Sequence, residues 1–274
     1  MKKNIIAKVA GTVASAALAV SLCACGGAPA SEAPAAQPDG QASYELVNDG
    51  KLTVVAELGF APFEYIDADG NTVGFDVDLA NAIAEHMGLE CEYLPNQGFD
   101  TLVPTIAQGG RADISIAGIT IDDTRREQVD FSDPYLDSNQ ALVTAASFEG
   151  EAESLDAAGV KVACQGGTTG EAWIKENLPN ATVVPLADVT AGMAGVQTGL
   201  YDAMVIDLPV ASNMIASSFS DLKVVKEIPT GEQYGIAVSY DSPALRDAIN
   251  DALAQIESDG TMAQLKAKWF GEQI

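Results

Sequence analysis

Two arginines stand together in SIAGITIDDTRREQVDF, residues 115–131, in a 274-residue chain that carries 39 acidic and only 14 basic residues. A guanidinium offers a planar fork that matches a carboxylate with two parallel hydrogen bonds. Arg125 comes just past a strand end built from Ala117, Gly118 and Thr120. A second stretch, QGGTTGEAW at residues 165–173, runs small residues straight into a helical pattern. Its first backbone N–H groups and the helix dipole therefore face an anion. No Gly-Lys-Ser/Thr follows, so it is not a nucleotide P-loop. A third, DAMVID at residues 202–207, ends an apolar run on Asp207, an acid whose burial demands a cation. One carboxylate-binding cluster and one ammonium-binding carboxylate match the two charged ends of an α-amino acid. Taken singly, the glycine-threonine loop fits a plain tight turn equally well, and an arginine among acids fits a surface ion pair.

Other chemistries find few residues to carry them. His86 is the only histidine and falls on an exposed helix face, which argues against histidine-based catalysis. Cys91 and Cys164 lie in alternating apolar stretches, where a buried thiol is the default, and no paired-cysteine motif supplies zinc ligands. Asp67, Asp69 and Asn71 have the spacing of a calcium loop. However, its sixth position is Thr72 where glycine is required, and its twelfth is Asp78 where glutamate is, so the stretch reads as a turn. The formal charge of −25 makes nucleic acid and anionic lipid surfaces unsuitable partners.

These groups need a scaffold, and the hydropathy pattern supplies one. KLTVVAEL is a strand, and FEYIDADGNTVGF a hairpin turned at Asp-Gly-Asn. Val77, Ala80, Ile83, Ala84 and Met87 share one face of a helix from Asp76 that stops at Gly88. Strands ECEYLP, ADISIAG, QALVTA, VKVACQ, ATVVPL and YDAMVID then alternate with helices FDTLVPTIAQGG, TGEAWIKENL, VTAGMAGVQTG and LPVASNMIAS. Such alternation predicts parallel sheets covered by helices on both faces, with ligands at the carboxyl ends of the strands.

The first residues predict where the chain works. Lys2, Lys3 and Lys8 precede an apolar, small-residue run from Val9 to Ala24 that is too short for a comfortable membrane span. It ends in Leu22-Cys23-Ala24-Cys25, which resembles a bacterial lipobox with Cys25 as the lipidated residue. Residues 1–24 read as a lipoprotein signal peptide. Residues 25–43, rich in Ala, Gly and Pro without a large apolar side chain, read as a disordered tether of roughly 60 Å at full extension. Three of the 14 basic residues and none of the 39 acidic ones fall in the leader, so the mature chain carries a formal charge of about −28.

GFDVDLANAIAEHMG resembles the signature of the family 3 solute-binding proteins, the extracellular receptors of polar amino acid ABC importers. The similarity continues through VVAELGFAPFEY, FDTLVPTIAQGGRADISIAGITIDDTRREQVDFSDPY, VACQGGTTGEAW, YDAMVID and the segment from EQYGIAV to KWFG, in family order over residues 50–271. The resemblance implies the α/β, two-lobed type II periplasmic-binding-protein-like fold, with two parallel-type sheets joined by two crossover strands. Lobe 1 is expected at 44–138 plus 235–274 and lobe 2 at 139–234, with crossings near Leu136–Leu142 and Gln233–Ile236. Cys91 and Cys164 then sit in different lobes, which disfavours a disulfide between them.

By motif, Arg125 is expected to clamp a ligand α-carboxylate with the backbone N–H groups of Thr120 and Thr168. Asp207, the carbonyl of Gly118 and the hydroxyl of Thr120 are expected to hold the α-ammonium. Phe60 and Phe99 should sandwich the side chain, whose end meets Glu57, Ala117 and Gln165. That set offers acceptors, one amide and no cation, which disfavours an acidic ligand and suits a neutral polar or basic amino acid. Arg126 should point elsewhere. The resemblance further implies a monomer without cofactor or metal that is not an enzyme. Its partners would be a free amino acid, a permease with its ATPase, and the membrane through the lipid. A dehydratase on the same fold and a ligand-sensing accessory protein are the alternatives.

Overall fold

The computed structural model describes residues 44–271; the proposed leader, tether and lipidated Cys25 lie outside the described residues. The described residues form one compact unit.

It opens with β1 (Lys51–Val55), β2 (Gly59–Phe60), β3 (Glu64–Ile66), β4 (Thr72–Val73), α1 (Phe75–His86) and β5 (Glu90–Tyr93). Next come α2 (Leu102–Gln108), β6 (Ile114–Ser115), α3 (Asp123–Arg126) and β7 (Asp130–Phe131). The long β8 (Leu136–Ala145) leads to β9 (Lys161–Gln165), α4 (Thr169–Asn177), β10 (Thr182–Leu186), α5 (Val189–Gln197), β11 (Ala203–Asp207) and α6 (Leu208–Ser217). The chain finishes with β12 (Leu222–Tyr234), β13 (Ala237–Val238), α7 (Pro243–Ser258) and α8 (Thr261–Phe270).

Two five-stranded sheets result, ordered β5-β1-β6-β13-β7 and β10-β9-β11-β8-β12, together with a small sheet β2-β3-β4. In each large sheet the strands joined through helices are parallel: β5, β1 and β6 in the first, β10, β9 and β11 in the second. The sheets are mixed, however, not parallel throughout. β8 runs antiparallel between β11 and β12, and β13 runs antiparallel between β6 and β7. The difference follows from connectivity, since β8 and β13 each arrive directly from the other sheet without a helical crossover that would bring them in parallel.

The elements read from the sequence between β1 and α6 form close to their expected places. In α1, Val77, Ala80, Ile83, Ala84 and Met87 are all buried, while His86 is exposed and lies 3.4 Å from Asp259. Gly88, at φ +72°, follows the helix end. The Asp67 carboxylate is taken up by its own turn, accepting the N–H groups of Asp69 (3.0 Å) and Asn71 (2.8 Å). Gly74, at φ +141°, starts α1 where any Cβ would lie 1.9 Å from the Phe63 carbonyl oxygen. The C-terminal α8 docks on the first sheet's core, with the Phe270 ring 5.0 Å from Phe75 and 5.4 Å from Phe63. Cys91 and Cys164 are free thiols in different sheets.

Candidate functional site

The predicted residues converge between the two sheets. Phe60, Phe99, Gly118, Thr120, Arg125, Gln165, Thr168, Thr169 and Asp207 line one cavity of about 10 Å³, room for roughly a single water. A larger cavity of about 390 Å³ shares Phe99, Arg125, Thr168 and Thr169 with it and leads outward past Asp100 and Lys175.

Arg125 is placed by the short α3, which Asp122 caps by accepting the Arg125 N–H at 2.8 Å. Its Nε lies 3.3 Å from the same carboxylate, Nη1 donates to the Thr120 carbonyl at 2.6 Å and Nη2 to the Gly167 carbonyl at 3.3 Å. The guanidinium also sits 5.4 Å over the Phe99 ring. Burial pulls its pKa down, and the charges of Asp122, Asp207 and Glu232 oppose that pull. Arg126 is exposed and lies over Phe131 instead, as expected of its neighbour in a helical turn.

Asp207 ends β11 and is almost fully buried. Its Oδ1 accepts from the Tyr234 hydroxyl and, at 3.1 Å, from Gln140 Nε2. Burial pushes its pKa up to about 7 against the Tyr234 hydrogen bond, and the nearby Glu232 charge adds to the rise. Gly118 takes φ +54°, and the Phe60 ring approaches so closely that an added Cβ would sit 3.1 Å from it. Its N–H donates to Asp76 Oδ2 at 2.8 Å, an oxygen that also accepts from the Tyr135 hydroxyl at 2.8 Å. Glu64 is buried beside Asp76, and burial together with the Asp76 charge holds its pKa well above the carboxylate range.

Thr120 pairs with Tyr234 across an antiparallel bridge that uses the N–H groups of Ile121 and Gly235. In such a pair the N–H of Thr120 points away from the partner strand. The Thr168 hydroxyl caps α4, accepting from the Glu171 N–H at 3.2 Å and donating to the Gln165 carbonyl at 2.8 Å. Part of the presumed anion nest is filled from within, because the Gly167 N–H donates to Glu171 Oε2 at 2.8 Å. The backbone of Thr168 at the helix N-terminus is what remains for a ligand.

Glu57 and Ala117 stand outside the cavity wall. Ala117 packs in the first sheet's core with Val55, Ala56 and Leu102. Glu57 Oε2 accepts from Gln165 Nε2 at 2.8 Å, so it reaches the cavity through that amide. Burial raises its pKa, the Gln165 bond lowers it, and the Asp188 charge raises it again. Four residues beyond the predicted set complete the site: Thr169, Gln140, Tyr234 and Glu232. Gln140 is buried at an inward position of β8. A polar residue among inward-facing strand positions was the one signal the sequence offered for it. Among the described residues no cluster of His, Cys, Asp and Glu is placed to hold a metal ion.

The profile of the bacterial extracellular solute-binding proteins, family 3, matches residues 52–272. The chain belongs to this family. It is 32% identical over 227 residues to the L-cystine-binding protein TcyJ of Escherichia coli (strain K12), covering 82% of this chain and 84% of that one. Among solved structures, an ancestral arginine-binding protein bound to arginine superposes with a TM-score of 0.77 at 36% identity, over 81% of this chain and 99% of that one. An ancestral amino acid-binding protein described as a precursor of cyclohexadienyl dehydratase gives a TM-score of 0.76 at 35% identity, over 81% and 96% of the two chains. The fold is that of the type II periplasmic amino acid-binding proteins, and the candidate cavity lies between its two large sheets.

Proposed function

We propose that this solute-binding protein is the extracytoplasmic receptor of an amino acid ABC importer, taking a polar amino acid with a neutral or basic side chain. The observation that carries the reading is one cavity with Arg125 from the first sheet's side and Asp207 from the second's, between the rings of Phe60 and Phe99. Arg125, with the N–H groups of Thr120 and Thr168, holds the α-carboxylate. Asp207, the Gly118 carbonyl and the Thr120 hydroxyl hold the α-ammonium. A water-excluding wall strengthens each of these contacts. Relatives named for cystine and arginine support a ligand of this class.

Two lobes, 44–138 with 235–274 and 139–234, close about β8 and β12 in this reading. A cavity of about 10 Å³ cannot admit an amino acid until its walls part. Ligand that bonds to both lobes then favours closure, the hinge behaviour for which periplasmic binding proteins are a standard example. The buried Glu57 and its Asp188 neighbour reject an acidic side chain and reward a basic one, while Gln165 suits an amide. Delivery to a permease and its ATPase follows, by a monomer that a lipid on Cys25 and the 25–43 tether hold at the membrane. Binding without chemistry is the reading we favour. The structure adds one acid to the wall's surroundings, Glu232, but its Oε2 already accepts three hydrogen bonds and is occupied as an acceptor.

The test is a thermal-shift screen of residues 42–274 against the twenty amino acids, beside Arg125→Ala. Ligand at a hundredfold excess over Kd stabilises by about 2.7 kcal/mol. A shift with a few related amino acids that is lost in the variant supports the reading. No shift with any of them defeats it and turns the search to prephenate-like acids, with loss of water followed by mass spectrometry.

A further inference from the structure

Behind the cavity wall lies a carboxylate that the ligand-binding reading does not use. Glu232 sits near the end of β12, paired with Ser138 of β8. Its Oε2 accepts from Thr120 Oγ1 at 2.8 Å, Thr169 Oγ1 at 3.0 Å and Gln140 Nε2 at 3.3 Å. Thr120 follows β6 of the first sheet and Thr169 opens α4 over the second, so one oxygen gathers hydroxyls from both sides of the site. Both threonines line the cavity, and Glu232 does not.

A hydroxyl has one proton and two lone pairs, and an ionised carboxylate can only accept. Both threonine protons therefore point at Glu232, and lone pairs are what the two hydroxyls present elsewhere. Thr169 also accepts from Gln140 Nε2 at 3.3 Å, which leaves it one further lone pair. The same amide nitrogen lies 3.1 Å from Asp207 Oδ1, so its two protons are shared among Asp207, Thr169 and Glu232, and Glu232 ties Thr120 into the same connected network. Thr168 differs, because its hydroxyl is consumed by the cap of α4.

We propose that Glu232 is a positioning residue that turns the hydroxyls of Thr120 and Thr169 into acceptors, and that Thr169 joins Asp207 in selecting ligands by their ammonium group. The proposal rests on the amino acid reading above and adds two residues to it. Without Glu232 each hydroxyl is free to turn its proton toward the ligand, where it opposes a cation.

The test compares wild type, Glu232→Gln and Thr169→Val, all as residues 42–274. The probes are L-arginine and L-glutamine, each beside its des-amino analogue, 5-guanidinopentanoate and 4-carbamoylbutanoate. Affinities come from calorimetry, with chemical-shift titration for the weaker analogues. Glu232→Gln is expected to weaken the binding of an amino acid about tenfold or more, the worth of one hydrogen bond to a charged group, and to leave its des-amino analogue within about twofold. Thr169→Val should act in the same direction, and it carries the test if Glu232→Gln fails to fold. Equal losses for an amino acid and its des-amino analogue would reduce Glu232 to a structural role and overturn the proposal. Where the twenty-amino-acid screen shifts with another amino acid, that ligand and its des-amino analogue replace these probes; no shift with any of the twenty would instead defeat the amino acid reading, and this proposal with it.

Discussion

Replacing Asp207 by asparagine tests the electrostatics on which the site depends. Asp207 is 8% exposed, and its pKa rises from an ordinary 3.8 to about 7 because burial disfavours the anion. Below pH 3.8 the folded and unfolded chains both hold the proton. As pH rises from there, the unfolded chain releases its proton while the folded chain keeps it until about 7. Stability from this group is therefore present at low pH and lost as pH climbs through that window. Three units at 1.36 kcal/mol each make the full loss roughly 4 kcal/mol. Asparagine preserves an oxygen for Tyr234 and Gln140 and has no proton to lose. The variant's advantage over wild type should thus be small near pH 4 and grow by roughly 2–3 kcal/mol between pH 5 and 7, then level off. Urea unfolding of residues 42–274 across that range reads it as a midpoint difference of about 1 M at pH 7.5, given the urea slopes usual for proteins of this size. Comparing the two proteins at each pH cancels the titration of Asp76, Glu64 and Glu57, which they share. A difference that stays flat with pH would mean that Asp207 is ionised throughout and that Tyr234 and Gln140 outweigh burial. A ligand ammonium reverses the preference, so amino acid affinity of wild type should rise with pH below 7, by up to about tenfold per unit, and that of Asp207→Asn should not.

Gly74→Ala should cost at least about 3 kcal/mol in urea unfolding, since the new methyl meets the Phe63 carbonyl at 1.9 Å in a left-handed backbone; a loss below about 1 kcal/mol would refute the close-packing account. Glu57→Gln should weaken binding of a basic amino acid more than that of a neutral amide, measured by calorimetry, and equal effects on the two would separate Glu57 from side-chain selection. Burial pushes the Cys91 and Cys164 thiols up to about 12, so both should resist a thiolate-specific reagent at pH 8 in the folded protein and react on unfolding. Rapid labelling of the native protein would contradict that burial.

Much of the scaffold was legible because local periodicity reports which side of an element faces a core. The buried stripe of α1, the Asp67 turn and the stop at Gly88 are such features, each decided within about a dozen residues. Arg125 and Asp207 were legible as candidates for a related reason: a guanidinium just past a small-residue strand end and an acid closing an apolar strand are each placed where burial demands a partner, and both are buried. The tertiary structure alone decided the rest. Glu232 meets Thr120 across 112 positions of sequence and Gln140 across 92. An irregularity of β12 between Ile228 and Glu232 also breaks the alternation that could have marked its inward side. Whether a strand runs parallel depends on which sheet it enters and from which end, as with β8 and β13, and periodicity carries no such information. Ala117 illustrates the same limit from the other side: the family motif suggested the cavity, and packing with Val55 and Leu102 put it in the core. Sequence fixed which groups need partners, and folding chose the partners, because pairing energy depends on a few ångströms that only long-range packing sets.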